Sequence, residues 1–180
     1  MKHQSLFVKA LKQSDSKDEA FTRLVQEYKE RIYWHIRKIV LDHDDANDVV
    51  QNTFIKVHLN IENFNENSTL FTWMYRIATN EALNFIKSKA KKMGLKNQEW
   101  IEAITDNLEA DPFFDGDEAA LILQKEISKL PEKQRIVFNM KYFDEMNYDS
   151  ISEILDTSVG ALKASYHHAV KKIKTKLTND

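Results

Sequence analysis

The sequence has no cysteine, only three glycines and only two prolines among its 180 residues. Without cysteine the chain forms neither disulfides nor thiolate metal sites, so its stability has to come from packing. Few glycines and prolines leave few places for hairpins and tight turns, whereas Lys, Glu, Leu, Ala and Ile are plentiful. The composition therefore predicts an all-α fold.

Long apolar segments are also missing. No apolar run approaches the roughly 20 residues that span a bilayer, and the first residues, MKHQSLFVKALKQS, lack the apolar stretch of a secretory signal. Apolar residues still make up 42% of the chain, which is enough for buried cores. We therefore expect a soluble, globular protein that stays in the cytoplasm.

Catalytic and metal-binding motifs are missing from the sequence as well. It has no HExxH motif, no Gly-rich phosphate loop and no nucleophile-elbow serine. His167 and His168 are adjacent and point about 100° apart on a helix, which does not favour chelation of one metal ion. His43 lies among three aspartates and could join a metal site, although helix capping is the simpler interpretation. We predict no enzyme activity, no metal and no cofactor.

The charged residues divide the chain into three blocks. Basic and acidic residues number 15 and 12 in residues 1–93, 1 and 8 in residues 94–118, and 10 and 8 in residues 119–180, which gives net charges of +3, −7 and +2. The middle block also contains two glycines and Pro112. We predict two separate helical domains, 1–93 and 119–180, joined by an acidic linker, 94–118, with one short helix near residues 100–104. The alternative is that the linker is a solvated loop without a function of its own.

In the first block, apolar residues recur at steps of three and four, which predicts three long helices. The apolar stripes cover residues 21–40, 46–61 and 70–86, and the third helix continues to residue 92. Ser68 or Thr69 can cap this third helix. Three packed helices make one small domain.

The third helix leaves several polar and aromatic side chains outside its apolar stripe. These are Trp73, Arg76, Thr79, Asn80 and Lys87, next to a loop that carries Phe64. Rings interleaved with cations suit unpaired bases, because a ring stacks on a base while the cations meet phosphates. Partly exposed aromatic residues are common in proteins, so an ordinary helix surface is the alternative.

The last block predicts four helices, the final two of which form a helix-turn-helix. Apolar spacing and Pro131 place the first two helices over residues 119–129 and around 135–140. A third helix starts near residue 148, a turn follows at 156–158, and Ser158 caps the final helix. In this layout the second helix of the motif enters the major groove of DNA.

The exposed face of the final helix combines small and basic residues. With the apolar stripe buried, the outward residues are Ala161, Lys163, Ala164, Ser165, His168, Lys171 and Lys172. Small side chains allow a close approach to base edges, and lysines attract phosphates. The alternative is a solvated basic helix whose terminal lysines complement the helix dipole.

Three segments of the chain carry a resemblance to a known family. They are DDANDVVQNTFIKVHLNIENF, TLFTWMYRIATNEALNFI and LPEKQRIVFNMKYFDEMNYDSISEILDTSVGALKASYHHAVKKI. In order, they resemble regions 2.2, 2.3 to 2.4 and 4 of bacterial RNA polymerase sigma factors of the sigma-70 superfamily. No third domain lies between them, which is similar to the extracytoplasmic-function (ECF) group. The resemblance implies a dissociable initiation factor that directs core RNA polymerase to particular promoters.

The resemblance also implies protein partners. In that family the second helix of the first domain binds the clamp coiled coil of the polymerase's largest subunit. The matching residues here are Asp48, Gln51, Asn52 and Ile55, opposite the apolar stripe of the helix. Asn52 departs from the acidic residue that is usual at its position. Further implied partners are the flap of the second-largest polymerase subunit and an anti-sigma factor.

Two promoter-binding surfaces follow from the same resemblance. The first would hold a base flipped from the minus-ten element, through Phe64, Asn67, Phe71, Trp73, Arg76, Asn80, Asn84 and Lys87. The second would read the minus-thirty-five element, through Ser158, Gly160, Ala161, Lys163, Ala164, Ser165, His168, Lys171 and Lys172. Ser165 stands where the family commonly has arginine, which weakens binding or changes its sequence preference. The acidic linker would pass through the RNA exit path.

Two other functions remain open at the level of the sequence. A DNA-binding regulator that acts without polymerase would use the C-terminal helix-turn-helix but would leave the face around Asp48 and Gln51 without a role. A helical interaction module would bind neither DNA nor polymerase, and its lysines would only be solvated.

Overall fold

The computed structural model describes residues 2–106, 108 and 117–178. Within these residues the chain forms nine α-helices and a short 3-10 helix at Ile61–Asn63, with no β-strand. The helices are α1 (Lys2–Lys12), α2 (Lys17–Val40), α3 (His43–Asn60), α4 (Leu70–Lys92), α5 (Asn97–Thr105), α6 (Glu118–Ser128), α7 (Glu132–Tyr142), α8 (Tyr148–Leu155) and α9 (Val159–Leu177). The predicted all-α fold class is confirmed.

Polar side chains cap the start of five helices. The cap residues are Asp42, Thr69, Asp117, Asn147 and Ser158, and each accepts a hydrogen bond from the backbone N–H three residues later. The donor–acceptor distances lie between 2.8 Å and 3.3 Å. Each cap satisfies one of the N–H groups that a first helical turn leaves unpaired. The predicted caps at Thr69 and Ser158 are confirmed.

Removing the cap of α3 by Asp42→Ala is expected to lower the free energy of unfolding by about 1 kcal/mol. The Asp42 carboxylate accepts from the Asp45 N–H at 2.8 Å, and alanine offers no acceptor there. Asp44→Ala is the matched control, because Asp44 is exposed in the same helical turn and carries the same charge. Urea unfolding of both variants measures the difference. Equal losses for the two variants would contradict the role of the cap.

Helices α2, α3 and α4 pack pairwise to form the N-terminal domain, and α1 lies against α2. The fully buried residues of the three long helices include Ile32, Ile36, Val49, Met74 and Ile86. Helix α1 was not predicted from the sequence, because its apolar stripe is short. Its residues Val8 and Leu11 are nevertheless buried in the same core. The predicted three-helix domain is therefore a four-helix domain.

Helices α6 to α9 form the C-terminal domain. A small apolar cluster at its centre consists of Ile127, Leu130, Phe138, Ala169 and Ile173. Helix α8 ends at Leu155, Asp156 adopts a left-handed conformation with φ 48°, and α9 begins at Val159. This short helix, tight turn and longer helix are the predicted helix-turn-helix.

The described part of the acidic linker is folded against both domains. Helix α5 lies where a short helix was predicted, and it contacts α4 and α6. Trp100 and Ile101 are buried, and the Gln98 side chain donates to the Ser128 carbonyl at 2.7 Å. The buried Arg135 guanidinium donates to that carbonyl and to the Gln98 side chain, both at 3.3 Å. The predicted linker also includes residues 107 and 109–116, which lie outside the described residues.

The two predicted domains are present, but they are not separate. One apolar cluster continues from the N-terminal helices and Trp100 into the C-terminal domain, where it includes Ile136, Met140, Ile151 and Ile154. The direct contact lies mainly between α4 and α8 and between α2 and α7. In this conformation apolar residues of both domains therefore share one core, an arrangement that the sequence left open.

Candidate polymerase and nucleic-acid interface

One face of α3 is exposed along most of its length. Asp48, Gln51, Asn52 and Ile55 all lie on this face, as their spacing predicts, and Ile55 is 56% exposed. Leu59, one turn further on, is 69% exposed and was not singled out from the sequence. The four-residue step from Ile55 to Leu59 is the signal that could have found it. Exposed apolar side chains in line with an acid and two amides form a surface that a protein partner can cover.

The predicted minus-ten residues differ in their exposure. Asn67, Arg76, Asn80, Asn84 and Lys87 are exposed, Phe71 and Trp73 are half-buried, and Phe64 is only 2% exposed. Within α4, the polar members step by four, four and three positions, so they form one stripe along the helix. At ~1.5 Å per residue this stripe is about 16 Å long.

The aromatic residues near this stripe pack against one another. The Phe64 ring lies 5.1 Å from the Trp73 ring, and the Phe71 ring lies 4.2 Å from the Tyr75 ring. The Arg31 guanidinium sits over Phe71 at 4.5 Å. Because Phe64 is buried in the core, it has no surface for a base in this conformation. Its predicted DNA contact is corrected to support of the Trp73 ring from inside the domain.

Thr79 also differs from its predicted place at the rim of α4. It is only 1% exposed, and its hydroxyl donates to the Tyr75 carbonyl at 2.7 Å. The same hydroxyl oxygen lies 2.9 Å from Nε2 of His35 on α2. Thr79 therefore belongs to the packing between α2 and α4.

A cleft of about 520 Å³ lies between α4 and the C-terminal domain. Arg76 and Asn80 line it from α4, and Lys133 and Ser165 line it from α7 and α9. Arg76 also donates a hydrogen bond to the Glu153 carbonyl in the last turn of α8. Two predicted minus-ten residues thus face the C-terminal domain in this conformation.

The predicted minus-thirty-five residues lie on the outer face of α9. Leu162, Ala169 and Ile173 form the buried stripe of this helix. All nine predicted residues are exposed except Ser165, which is half-buried beside the cleft. Ser158 serves as the cap, since its hydroxyl accepts from the Ala161 N–H at 3.3 Å. The remaining small and basic residues are available to a partner.

The structure adds Tyr148, the first residue of α8, to this surface. The ammonium groups of Lys141 and Lys163 lie 5.3 Å and 5.8 Å from the centre of its ring. A ring face attracts cations at such distances, so Tyr148 positions both lysines. Burial, and to a smaller extent the nearby Tyr166, raises the pKa of the Tyr148 hydroxyl. No periodic pattern indicates this contact, because Tyr148 and Lys163 belong to different helices.

A buried ionic cluster joins α2 to the loop after α7. The Asp144 carboxylate lies 2.8 Å from Nδ1 of His35 and also accepts from the Lys38 ammonium. The His35 side chain is 1% exposed and the Asp144 side chain 7%. Burial raises the pKa of Asp144, but the hydrogen bonds and charges of His35 and Lys38 outweigh it and bring the pKa below its usual value. Asp144 is therefore ionised at neutral pH.

Two family models match the chain in the order that the resemblance predicts. The Sigma-70 region 2 model matches residues 24–92, and the Sigma-70 region 4 model matches residues 120–173. The first range contains the exposed face of α3 and the stripe on α4, and the second contains α8 and α9 as far as residue 173. In the part of the chain that the structure describes, no helix is long and apolar enough to cross a membrane.

Relatives with known names match nearly the whole chain. The ECF RNA polymerase sigma factor SigW of Bacillus subtilis (strain 168) is 32% identical over 178 residues, which cover 94% of each chain. The ECF RNA polymerase sigma-E factor of Escherichia coli (strain K12) is 28% identical over 182 residues, which cover 96% of this chain and 93% of the relative.

Two solved structures share the fold. CnrH in complex with the cytosolic domain of CnrY aligns with a TM-score of 0.71 and 20% identity, over 98% of this chain and 97% of that one. The sigma factor RpoE in complex with the anti-sigma factor NepR, from Bartonella quintana, aligns with a TM-score of 0.68 and 17% identity, over 89% and 98%. These alignments show the fold, and the family matches and the identity to SigW show that the chain belongs to the ECF group of sigma-70 factors, which are non-enzymatic, promoter-specific transcription initiation factors.

Proposed function

We propose that the chain binds the clamp of core RNA polymerase through α3, holds the minus-ten element on α4 and reads the minus-thirty-five element with α9. One observation carries this assignment. The three surfaces are exposed on three different helices, and all the residues proposed for them lie inside the matched sigma regions. A single initiation factor has to present such surfaces together, because it bridges the enzyme and two separated DNA elements.

The composition of the α3 face supports its role in binding polymerase. Ile55 supplies apolar area at its centre, where the largest contributions to binding usually arise, and Leu59 extends this area by one turn. Asp48 supplies an exposed negative charge that a basic partner surface can meet. Since Asn52 is uncharged, apolar contact at Ile55 and Leu59 carries a larger share of the affinity.

The stripe on α4 suits single-stranded DNA. Arg76 and Lys87 can meet phosphates at its two ends, and the amides of Asn80 and Asn84 can both donate to and accept from base edges. Trp73, backed by Phe64, offers a half-exposed ring for stacking. Stacking is worth about 1–3 kcal/mol per base, which is comparable to the few kcal/mol needed to extract a base from the duplex.

The outer face of α9 suits the major groove of duplex DNA. Gly160, Ala161 and Ala164 have short side chains, so the helix can lie close to the base edges. Lys163, held beside Tyr148, reaches phosphate, and Lys171 and Lys172 add attraction further along the helix. Ser165 is half-buried at the cleft, so we expect it to add little to base recognition.

Lys163→Glu is expected to weaken binding to duplex minus-thirty-five DNA and to reduce its dependence on salt. Loss of one phosphate contact makes the negative slope of log K against log salt shallower by about 0.9. Lys29→Glu, at an exposed position on α2 of the other domain, is the matched control. Titrations at several salt concentrations measure both slopes. A wild-type slope for Lys163→Glu would show that Lys163 does not contact a phosphate.

Two further partners, a path for the linker and a compartment belong to the proposal. The flap of the second-largest polymerase subunit is a second contact with the enzyme, and the acidic linker follows the RNA exit path. An anti-sigma factor is expected as well, since the RpoE structure with the same fold contains one. Because the relatives are RNA polymerase factors, we place the protein in the cytoplasm.

Binding measurements with and without polymerase test the proposed function. We expect the chain to co-elute with core RNA polymerase and to shift promoter fragments only as part of that complex, or far more strongly within it. A strong shift by the chain alone, without binding to core, would favour a DNA-binding regulator. No binding to either would favour a helical interaction module.

A further inference from the structure

We propose that the cluster of His35, Lys38 and Asp144 is a latch that holds the free chain closed and has to open before α4 can bind promoter DNA. The latch joins α2 of the N-terminal domain to the loop between α7 and α8 of the C-terminal domain. Its role in closing the chain is independent of the proposed function. Only its effect on DNA binding depends on the proposed role of α4.

Both ring nitrogens of His35 lie within hydrogen-bond distance of a partner. Nδ1 is 2.8 Å from the ionised carboxylate of Asp144, to which it donates. Nε2 is 2.9 Å from the Thr79 hydroxyl, which also bonds the Tyr75 carbonyl at 2.7 Å. One hydrogen-bond network therefore joins Thr79 on α4, His35 on α2 and Asp144 of the C-terminal domain.

The charges of the latch match one another across the domain interface. The Lys38 ammonium and the Nδ1–H of His35, both from α2, meet the carboxylate of Asp144, and Lys38 also lies 5.5 Å from the Phe143 ring. The Asn139 side chain from α7 donates to the Lys38 carbonyl at 3.1 Å. Side chains of the C-terminal domain thus contact both the side chain and the backbone of Lys38.

Such a cluster suits a reversible contact. Desolvation offsets much of the attraction within a buried ion pair, so the intact latch favours closure only modestly. Removal of one partner destabilises the closed form strongly, because it leaves an uncompensated charge in the interface. In the open form water solvates His35, Lys38 and Asp144 separately. The latch can therefore separate as a unit, whereas a variant that lacks one partner strongly disfavours closure.

The closed form occupies the surface of α4 that the proposed function needs. Arg76 donates to the Glu153 carbonyl, one of the last carbonyls of α8, which have no partner within the helix. The guanidinium also complements the negative end of the α8 dipole. Asn80 lines the cleft on the same side. A DNA strand on this stripe would have to displace α8 from Arg76.

Distance measurements on the free chain test the latch without polymerase or DNA. Because the sequence has no cysteine, Lys29→Cys and Lys174→Cys introduce unique sites for spin labels on exposed positions of the two domains. We expect one narrow distance distribution for the labelled parent and a broader, longer one for Asp144→Asn. Glu145→Gln is the matched control, because it removes the same charge from the exposed neighbouring residue. It should behave like the parent.

An unchanged distance distribution for Asp144→Asn would overturn the latch. Circular dichroism verifies that the variant keeps its helices, and Lys38→Met, which removes a different partner, carries the same test if Asp144→Asn fails to fold. Affinity for a single-stranded minus-ten oligonucleotide should rise in the opened variants, up to about tenfold if the parent is open a tenth of the time. A longer label-to-label distance without a gain in oligonucleotide affinity would support the latch and contradict the proposed role of α4 in DNA binding.

Discussion

Ile55→Arg is expected to weaken binding to core RNA polymerase about 100-fold, which corresponds to about 2.8 kcal/mol. Ile55 lies at the centre of the exposed face of α3, between Asn52 and Leu59. In the complex its side chain would be buried, so arginine would place an unpaired charge in the apolar centre of the interface. Since Ile55 is 56% exposed in the free chain, the substitution should leave the fold intact.

The control for this prediction is Leu6→Arg. Leu6 on α1 is 67% exposed and lies on a different helix from the proposed interface. Its replacement by arginine makes the same kind of change, from an exposed aliphatic side chain to a charged one. Fluorescence titration of labelled protein with core polymerase measures both affinities. Wild-type affinity for Ile55→Arg, or equal losses for the two variants, would remove α3 from the interface.

Phe138→Ala is expected to lower the free energy of unfolding of the C-terminal domain by about 3–5 kcal/mol. Phe138 is 4% exposed at the centre of the small cluster between α7 and α9, and its ring stacks on Tyr166 at 5.8 Å. Alanine removes the ring and leaves a cavity that the short helices can only partly fill. A loss of this size is a large fraction of the stability of a typical domain, about 5–15 kcal/mol.

Tyr142→Ala is the matched control for the cavity. Tyr142 is an aromatic residue on the same helix and packs 5.2 Å from the Phe138 ring, but it is 53% exposed. Its loss should cost under about 1 kcal/mol, because removal of an exposed ring leaves no cavity. Denaturant unfolding gives both values, and similar losses would show that Phe138 is not the centre of this core. With the helix-turn-helix destabilised, Phe138→Ala should also lose binding to minus-thirty-five DNA.

Local sequence patterns predicted most of the helices and the outward faces of α3 and α9. The stripe that buries Val49 and Val57 leaves Asp48 and Ile55 exposed by helical geometry alone. The cap at Ser158 depends only on residues three positions apart. Such features need no knowledge of the rest of the fold.

Features that depend on distant residues could not be predicted in this way. The partners His35 and Asp144 are 109 positions apart, and neither occupies a position in a periodic pattern that indicates the other. Thr79 was placed at the rim of its helix by periodicity and Phe64 in a DNA-binding loop by resemblance, and neither shows which neighbouring elements cover a side chain. Burial of Trp100 likewise depends on both domains, which contact α5 from either side.

Promoter-dependent transcription tests the central claim most directly. Core RNA polymerase is incubated with a library of promoter fragments, with and without the chain, and the 5′ ends of the transcripts are sequenced. A sigma factor with the proposed surfaces should yield new transcripts from a subset of fragments that share two upstream sequence elements, and Ile55→Arg should abolish them at limiting concentration. If the chain binds core but yields no new start sites, the claim that it directs initiation is contradicted.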